Sequence, residues 1–396
     1  MAGPLSGIRV LDLSRALAGP YCTMMLGDMG AEVIKVESPD GGDDSRAWAP
    51  PYIGQESAYF LSCNRNKKSI TLNLRAESAK KILTDLIKTS DVVVENFRPG
   101  TMKKMGFPYE TIKAINPRVI FASITGFGTK GPEAQKPGFD LIAQGMSGFM
   151  SFTGEVGGGP IKVGVAIADI NSGMFLAFGI VAALYHRQQS GEGQMVDTSL
   201  FETMVAQLTF QAGRFFATGI APKPEGNRHP LIAPYESFAC QDGYINIAAG
   251  NDNLYFKLCS AVGLKECEKD PRFQNNGLRV KNREALIPII QAKTKTYKVK
   301  DLQKILDDAG IPNGPIWSLD QTLTSEQAYA LDMVKEVNHL TCGKIKVTGV
   351  PVNLSKTPGD VVLPPPTLGQ HTKEVLTQIL RYSEAEVEKL KKEGAI

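Results

Sequence analysis

Residues 8–37 read IRVLDLSRALAGPYCTMMLGDMGAEVIKVE, and this stretch decides the fold class. Residues 8–13 and 32–37 are rich in aliphatic and β-branched side chains, which predicts two buried strands. Gly19 and Pro20 open a short helix that we predict over residues 18–29. Two strands joined by one helix are typical of a βαβ unit, in which the strands lie parallel in one sheet.

The same alternation continues through the first half of the chain. Residues 76–90 place apolar side chains at helical spacing, and strand patterns occupy residues 70–74, 91–95, 118–124 and 194–197. Strands that alternate with helices favour a largely parallel sheet covered on both faces. The sequence therefore predicts an α/β fold.

The chain has 396 residues, more than one ordinary core accommodates, so two domains are expected. A segment rich in glycine and proline at residues 219–230 indicates a crossing between them, and a compact α+β pattern follows it. After a loop at residues 310–317, the chain returns to the first domain. We predict a discontinuous large domain, residues 1–220 and 330–396, and a small α+β domain, residues 221–329.

Composition limits the class of partner and the compartment. Hydrophobic residues make up 42% of the chain and charged residues 21%, as in globular proteins, and no apolar run approaches the length of a membrane span. The net charge of +3 does not favour nucleic acid or an anionic membrane as a partner. Six cysteines without a CxxC pair suit a reducing compartment. We expect a cytoplasmic protein, or one of the mitochondrial matrix if a leader has been removed.

Common catalytic and cofactor motifs are absent from the sequence. The turn after the first predicted strand lacks GxGxxG, the phosphate-binding pattern GxxxxGK[ST] does not occur, and there is no GxSxG elbow. The four histidines show no metal-ligand spacing, so we expect no metal site. A nucleotide-dependent oxidoreductase on a generic α/β fold is therefore disfavoured.

Asp169 is the strongest candidate for chemistry. It follows the apolar run 163–168, which we predict as a buried strand-like segment, and it precedes an apolar helix. A carboxylate at this junction can cap the helix by accepting backbone N–H groups. It can also act as a nucleophile toward a reactive acyl group. The residues alone leave both roles open.

Two basic segments are candidates for anion binding. One is NRNKKS at residues 64–69, and the other is NFRPG at residues 96–100. The second lies between a predicted strand and a predicted helix, where backbone N–H groups and the helix dipole favour phosphate. Solvated surface charge is the alternative for both segments.

Several ordered blocks of this chain resemble the class III CoA-transferases of the CaiB/BaiF type. They are VLDLSRALAGP (10–20), GAEVIKVE (30–37), GDDSR (42–46), NRNKKS (64–69), VENFRPG (94–100), ITGFG (124–128), Asp169 with its flanks, GIPNGP (310–315) and LGQH (368–371). The resemblance covers nearly the whole chain. It implies a Rossmann-like large domain with a parallel sheet, a smaller α+β domain and an interlinked, ring-in-ring homodimer.

The resemblance also implies the chemistry of the site. Asp169 is the expected nucleophile, acyl-CoA thioesters and carboxylic acids are the expected small-molecule partners, and no cofactor is permanently bound. The residues expected along the CoA path are Arg15, Ala16, Leu17, Leu72, Asn73, Leu74, Arg75, Asn96, Phe97, Arg98, Lys104 and Lys136. The backbone at Ala249 and Gly250 is a candidate for stabilising the oxyanion.

Within the family, the similarity is greatest to transferases that use succinyl-CoA as donor and a dicarboxylate such as glutarate as acceptor. A dicarboxylate requires a cation for its distal carboxylate, and Arg65, Arg46 and His229 are the candidates. Formyl-CoA/oxalate and carnitine-type CoA-transferases are alternatives. An α-methylacyl-CoA racemase is disfavoured because Phe139 and Asn251 stand where that subfamily has titrating groups. A non-catalytic acyl-CoA-binding protein is a further alternative.

Overall fold

Six parallel strands form the central sheet of the computed structural model, which describes residues 3–396. They are β1 (Arg9–Asp12), β2 (Glu32–Glu37), β3 (Lys67–Thr71), β4 (Val92–Glu95), β5 (Ile120–Thr125) and β6 (Met195–Ser199). Their order across the sheet is β3-β2-β1-β4-β5-β6, and every neighbouring pair is parallel. This order is that of a doubly wound dinucleotide-binding sheet. The predicted α/β class with a parallel sheet is confirmed.

Both faces of the sheet are buried under helices. Successive residues of a strand point to opposite sides of the sheet, so neighbouring residues belong to different cores. Leu11 and Val93 face a core that includes helix α2 (Glu77–Thr89), whereas Val10 and Val92 face the other core. That second core contains α1 (Ala18–Asp28) and α3 (Ile167–Ser190). The predicted helix over residues 18–29 and the amphipathic helix over residues 76–90 are thus present.

Helix α3 is apolar on two opposite sides. Its most apolar 18-residue window has a mean hydropathy of 1.7, and by length and composition it is the one helix of residues 3–396 that could cross a membrane. Leu176, Ala177 and Ile180 are buried against α1 and the sheet, as in a core helix. Large apolar side chains on the opposite side are exposed: Met174, Phe175, Phe178, Val181 and Tyr185.

The chain divides into two compact units. The first comprises Met1–Phe149, Lys162–Phe216 and Glu326–Ile396, and the second comprises Met150–Ile161 and Ala217–Ser325. The segment 150–161 therefore differs from the sequence-based boundaries, which place it in the large domain. Its backbone bonds to the second unit, where the Gly226 N–H donates to the Gly154 carbonyl oxygen at 2.9 Å.

The second unit contains a small antiparallel sheet, in the order Asn313–Pro315, Tyr244–Ala248, Tyr235–Ala239. Its core includes Phe238, Tyr255 and Phe273. Helices that pack in this unit are Asp252–Val262, Lys265–Lys269, Asn276–Lys281, Arg283–Thr294 and Val299–Asp308. It is an α+β unit with its own core.

Shorter elements complete the chain. The hairpin Val334–His339 and Gly343–Thr348, and the two-residue strands Tyr52–Ile53 and Glu56–Ser57, are not predicted from the sequence. The remaining helices are Ala58–Cys63, Thr101–Lys104, Tyr109–Ile115, Asp140–Met146, Phe149–Phe152, Leu200–Ala206, Thr209–Thr218, Leu319–Leu323, Glu326–Ala330, Thr372–Glu374 and Glu384–Lys392, with short 3-10 turns at Asp44–Ala47 and Pro271–Phe273 and a π-turn at Val375–Ile379.

Candidate active site

Two grooves open along the carboxyl edge of the six-stranded sheet. The wide groove, of about 560 Å³, is lined by residues that follow β1, β2 and β3. The second groove, of about 260 Å³, contains Asp169, and we call it the Asp169 groove. Arg15 and Phe97 line both grooves. These two residues follow β1 and β4, the neighbouring strands at which the strand order reverses, which is where open α/β sheets bind ligands.

The loop after β1 is held from two sides where the grooves meet. The Arg15 N–H donates to Oδ1 of Asn96, and Nδ2 of Asn96 donates to the Arg15 carbonyl, both at 2.8 Å. The Ala16 N–H donates to Oδ1 of Asp43 at 3.1 Å. Ala16 has a φ of 67°, a left-handed conformation that is uncommon for alanine and that these bonds maintain. The wall between the grooves is therefore a fixed backbone segment.

Beneath this loop lies a network of buried charges. Asp12 is fully buried and accepts from the Lys67 ammonium at 3.1 Å and from the Thr23 hydroxyl at 2.7 Å. Burial opposes ionisation of Asp12, but the ammonium groups of Lys67 and Lys35 outweigh it and hold the pKa of Asp12 at about 2. Lys35 also pairs with Asp43 at 2.8 Å. These charges pair with one another, and Lys35 and Asp43 also lie in the lining of the wide groove.

Asp169 lies in the first turn of α3, which begins at Ile167. The predicted strand-like segment at residues 163–168 is wrong, because its backbone bonds to side chains instead of a strand. The Val163 N–H donates to Oε1 of Gln144 and the Ala168 N–H donates to Oδ1 of Asp140, both at 2.8 Å. Asp140 thus takes the capping role that the sequence leaves open for Asp169.

The Asp169 carboxylate has no hydrogen-bond or ion-pair partner among residues 3–396. Burial raises the pKa of Asp169 to about 7, and the nearby Asp140 carboxylate adds to the effect. A carboxyl group that is poorly solvated and free of partners keeps its lone pairs available for attack on an electrophile. Its pKa lies in the range that is typical of catalytic carboxyl groups.

Apolar and aromatic groups surround this carboxylate. Leu17, Trp48, Phe139 and Leu200 line the Asp169 groove. Burial raises the pKa of the Tyr59 hydroxyl, with contributions from Cys63 and from Asp169, and the Tyr59 ring stands edge-on to Trp48 at 5.0 Å. Trp48 and Phe139 are themselves exposed, so these side chains reduce the solvation of the carboxylate without closing the groove to water.

Asp140, Trp48 and Tyr59 are parts of this site that the sequence does not predict. Asp140 is the first residue of the helix Asp140–Met146, a position that acidic residues commonly occupy. Its sequence position therefore indicates only a role in its own helix. Its contact with Ala168, which lies 28 residues away, is tertiary and leaves no local signal.

Eleven of the twelve residues that the resemblance assigns to CoA line one of the two grooves. Those in the wide groove are Arg15, Leu72, Asn73, Leu74, Arg75 and Phe97, and those in the Asp169 groove are Arg15, Ala16, Leu17, Asn96, Phe97, Arg98 and Lys136. Lys104 is exposed at the end of helix Thr101–Lys104 and lines neither groove of the described chain.

The position of Arg65 contradicts its predicted substrate role. Its guanidinium is buried and donates to Asp28 through Nε at 3.0 Å and through Nη2 at 2.7 Å. A bidentate pair of this kind uses the planar fork that a substrate carboxylate would need. Lys67, which the sequence suggests is a surface cation, is also fully buried.

Arg46 is committed in the same way. Its Nε and Nη2 donate to Glu37 at 2.7 and 2.8 Å, and its guanidinium lies 3.6 Å from the centre of the Phe60 ring. Glu56 accepts a third bond at 3.3 Å. The predicted role of Arg46 in binding a substrate carboxylate is wrong for the same reason.

The remaining predicted residues belong to the second unit. The His229 ring lies 5.4 Å from that of Tyr235, and its Nδ1 accepts from the Leu231 N–H at 3.2 Å. The Ala249 N–H donates to the Pro234 carbonyl at 3.0 Å, so it is not free to stabilise an oxyanion. The roles of Gly250 and His229 stay predictions.

Among residues 3–396, no group of three or more His, Cys, Asp or Glu side chains is arranged to hold a metal ion. The Asp169 groove holds the unpaired carboxylate of Asp169, the cations of Arg15, Arg98 and Lys136, and apolar side chains.

Comparison with known proteins identifies the family. Residues 5–372 match the family model described as CoA-transferase family III. The chain belongs to this family. It is 43% identical to the succinyl-CoA:glutarate CoA-transferase of Mus musculus, over 99% of this chain and 90% of that protein. It is 40% identical to the acetyl-CoA:oxalate CoA-transferase of Acetobacter aceti, over 89% of this chain and 90% of that protein.

A solved structure of the same family has the same fold. The crystal structure of a CaiB/BaiF family protein from Brucella suis superposes with a TM-score of 0.86 at 40% identity, covering 96% of this chain and 100% of that one. The predicted membership in the class III CoA-transferases is confirmed, and the chain is a transferase enzyme that uses CoA thioesters as substrates.

Proposed function

We propose that this family III CoA-transferase moves CoA from succinyl-CoA to a dicarboxylate such as glutarate, with Asp169 as the nucleophile. One observation carries the proposal. The unpaired carboxylate of Asp169, whose pKa is raised to about 7, lies in the Asp169 groove. This groove adjoins the wide groove beside β1 and β4, where the strand order of the sheet reverses. The names of similar transferases from several organisms support succinyl-CoA and glutarate as the substrates.

The chemistry of carboxylates and thioesters gives the order of steps. The ionised Asp169 attacks the donor thioester carbonyl, forming an aspartyl mixed anhydride and releasing CoA thiolate. The thiolate attacks the aspartyl carbonyl, forming an aspartyl-CoA thioester and releasing the donor acid. The acceptor carboxylate then attacks this thioester, which releases CoA thiolate and forms a second mixed anhydride between the acceptor and Asp169. The thiolate attacks the acceptor carbonyl of this anhydride, which yields acceptor acyl-CoA and free Asp169.

Water competes with every acyl transfer in this sequence. An anhydride exposed to water would hydrolyse and would dissipate the thioester energy. Leu17, Trp48 and Phe139 form apolar walls beside Asp169, which supports a site that limits hydrolysis. The same walls disfavour ionisation of Asp169, which accounts for its raised pKa.

With Arg65 and Arg46 committed to carboxylates of the protein, other cations must accommodate the distal carboxylate of the substrate. Arg15, Arg98 and Lys136 line the Asp169 groove. Arg15 and Lys136 pair only with exposed carboxylates, at 3.4 and 3.1 Å. Exposed pairs of this kind contribute about 0–1 kcal/mol and exchange readily for another anion. These three cations are therefore available to substrate carboxylate or CoA phosphate.

Racemase chemistry is disfavoured by the residues at two positions. Phe139 has no ionisable group, and Asn251 accepts the Leu254 N–H at 2.8 Å as a helix cap. Exchange of a proton at an α-carbon requires two acid/base groups, which these residues do not supply. Transfer to oxalate remains the second candidate, because the Acetobacter aceti relative is named for that acceptor.

The exposed stripe on α3 supports the proposed homodimer. Phe175, Phe178, Val181 and Tyr185 place four large apolar side chains on one side of a single helix. Patches of this kind are usually covered by a partner, and the interlinked homodimer of the family supplies a second copy of this chain as the occupant. Interlinked protomers should not separate on dilution before they unfold, which sedimentation velocity over a wide concentration range can check.

The function is tested with a panel of acceptors and succinyl-CoA as donor. Glutarate, other dicarboxylates, oxalate and a monocarboxylate are compared by the rate of formation of the new acyl-CoA. We expect the highest kcat/KM with glutarate or a dicarboxylate of similar length. Preference for oxalate would favour the second candidate. Binding of succinyl-CoA without transfer to any acid would indicate a non-catalytic acyl-CoA-binding protein.

A further inference from the structure

The helix Glu384–Lys392 ends in a turn that folds back onto the sheet. Gly394 has a φ of 65°, its N–H donates to the Lys391 carbonyl at 3.1 Å, and the Ala395 N–H donates to the Leu390 carbonyl at 3.0 Å. These two bonds form a Schellman motif, in which a left-handed glycine ends the helix. Ala395 and Leu390 are both buried in the core beneath β3 and α2, so the turn is anchored.

This turn holds the segment that follows β3. The Asn73 N–H donates to the Ala395 carbonyl at 2.8 Å, and Nδ2 of Asn73 donates to the Gly394 carbonyl at 3.1 Å. Asn73, Leu74 and Arg75 are consecutive and line the wide groove. Oδ1 of Asn73 in turn accepts the Arg75 N–H at 3.3 Å. The position of the groove wall thus depends on carbonyl groups more than 300 residues away in the chain.

We propose that the turn at residues 394–396 is a positioning segment for the nucleotide end of the acyl-CoA. This inference rests on the proposed function. If the thioester reaches Asp169, the nucleotide end of CoA extends toward the wide groove, whose wall is the segment Asn73–Arg75. Residues 394–396 touch neither groove, so they act through Asn73 on binding and leave the acyl-transfer steps unchanged.

Gly394 offers a matched pair of substitutions. A Cβ added at this position meets no atom within 4 Å, so only the backbone conformation is affected. Asparagine tolerates the left-handed region, whereas a β-branched residue there is strained. Gly394→Val should therefore displace the carbonyl groups that hold Asn73, and Gly394→Asn should keep them in place.

The test compares succinyl-CoA with succinyl-pantetheine, which lacks the nucleotide. For Gly394→Val we expect the KM for succinyl-CoA to rise about tenfold, as expected for two hydrogen bonds weakened, with an unchanged kcat. The KM for succinyl-pantetheine should not change, and Gly394→Asn should match the wild type with both substrates. Asn73→Ala, which removes the Nδ2 bond to Gly394 and the Oδ1 bond from the Arg75 N–H but keeps the backbone bond to Ala395, should give a smaller rise in the KM for succinyl-CoA.

Three results would overturn the inference: equal changes with both thioesters, no change with either, or Gly394→Asn behaving like Gly394→Val. If Gly394→Val does not fold, Gly394→Ala takes its place, because alanine is strained at the same positive φ without a branched Cβ and lies outside both grooves. If the wild type transfers CoA to no acid, the proposed function fails separately. Calorimetry with CoA and pantetheine then supplies the same comparison, in which weakened binding of CoA alone supports the positioning role.

Discussion

Asp12 and Asp169 are two aspartates of the same compact unit with opposite surroundings. Asp12 accepts from an ammonium group, two hydroxyl groups and a backbone N–H, and its pKa is about 2. Asp169 has no partner among the described residues, and its pKa is about 7. Pairing therefore distinguishes the carboxylate that stabilises the fold from the one that is available for chemistry. The distinction is invisible in residue type and clear in contacts.

The largest expected effect concerns the unpaired carboxylate. Asp169→Asn should fold and bind CoA but lose at least about 1,000-fold in kcat, because an amide is not a nucleophile toward a thioester. The measurement is transfer of CoA from succinyl-CoA to glutarate, with calorimetry for CoA binding. Asp301→Asn is the matched control, since Asp301 is also an aspartate in the first turn of a helix but is exposed. Activity above about one hundredth of the wild type would remove Asp169 from the nucleophile role.

The paired carboxylate should affect stability instead. Asp12→Ala leaves the fully buried Lys67 without its carboxylate, which should reduce the free energy of unfolding by about 3–5 kcal/mol. Asp85→Ala is the control, because Asp85 also has a pKa of about 2 but pairs with the exposed side chains of Lys81 and Lys88. Its loss should cost about 1 kcal/mol or less. Similar urea midpoints for the two variants would contradict the comparison.

Arg65 provides a sharper test of the same distinction. Arg65→Lys breaks the bidentate pair with Asp28, so we expect a loss of about 1–3 kcal/mol in the free energy of unfolding, measured in urea. Dicarboxylate and monocarboxylate acceptors should be affected equally, because the guanidinium is buried inside the protein. A selective loss with dicarboxylates would instead restore Arg65 to the substrate site.

The sheet and the groove walls could be predicted from sequence because their signals are local. Each strand has its own apolar pattern, and the carboxyl ends of parallel strands meet at one edge, which brings the segments after β1, β3 and β4 together. The resemblance to the family assigns Arg15, Asn73 and Asn96 to one region, and the strand pattern is consistent with that assignment. Of the residues predicted to bind CoA, all but Lys104 line one of the grooves, and their contact with CoA stays a prediction.

The pairing of charges could not be predicted because it depends on tertiary contacts. Arg65 meets Asp28 across 37 residues, and Lys67 meets Asp12 across 55. A basic segment such as residues 64–69 therefore has the same sequence pattern whether it is solvated, buried or aimed at a ligand. The segment 163–168 has the apolar pattern of a strand but leads into a helix. Its backbone also depends on tertiary contacts, because the Val163 and Ala168 N–H groups donate to the side chains of Gln144 and Asp140.

The smallest expected effect concerns pH. Only ionised Asp169 attacks the thioester, so kcat/KM for succinyl-CoA should rise with pH and reach half its maximum near pH 7. The Asp140 carboxylate contributes to the raised pKa of Asp169. Asp140→Asn removes this charge, and its side-chain oxygen can still accept the Ala168 N–H, but the bond from Nε2 of Gln144 to the second carboxylate oxygen is lost. The midpoint should therefore move down by about 0.5–1 pH unit, which gives a gain of about three- to fivefold at pH 6 relative to the plateau. We expect a small fall in the melting temperature from the lost Gln144 bond, and a large fall would indicate that the capping bond to Ala168 is lost as well. A midpoint that stays near 7, or moves up, would show that the negative charge of Asp140 does not control the ionisation of Asp169.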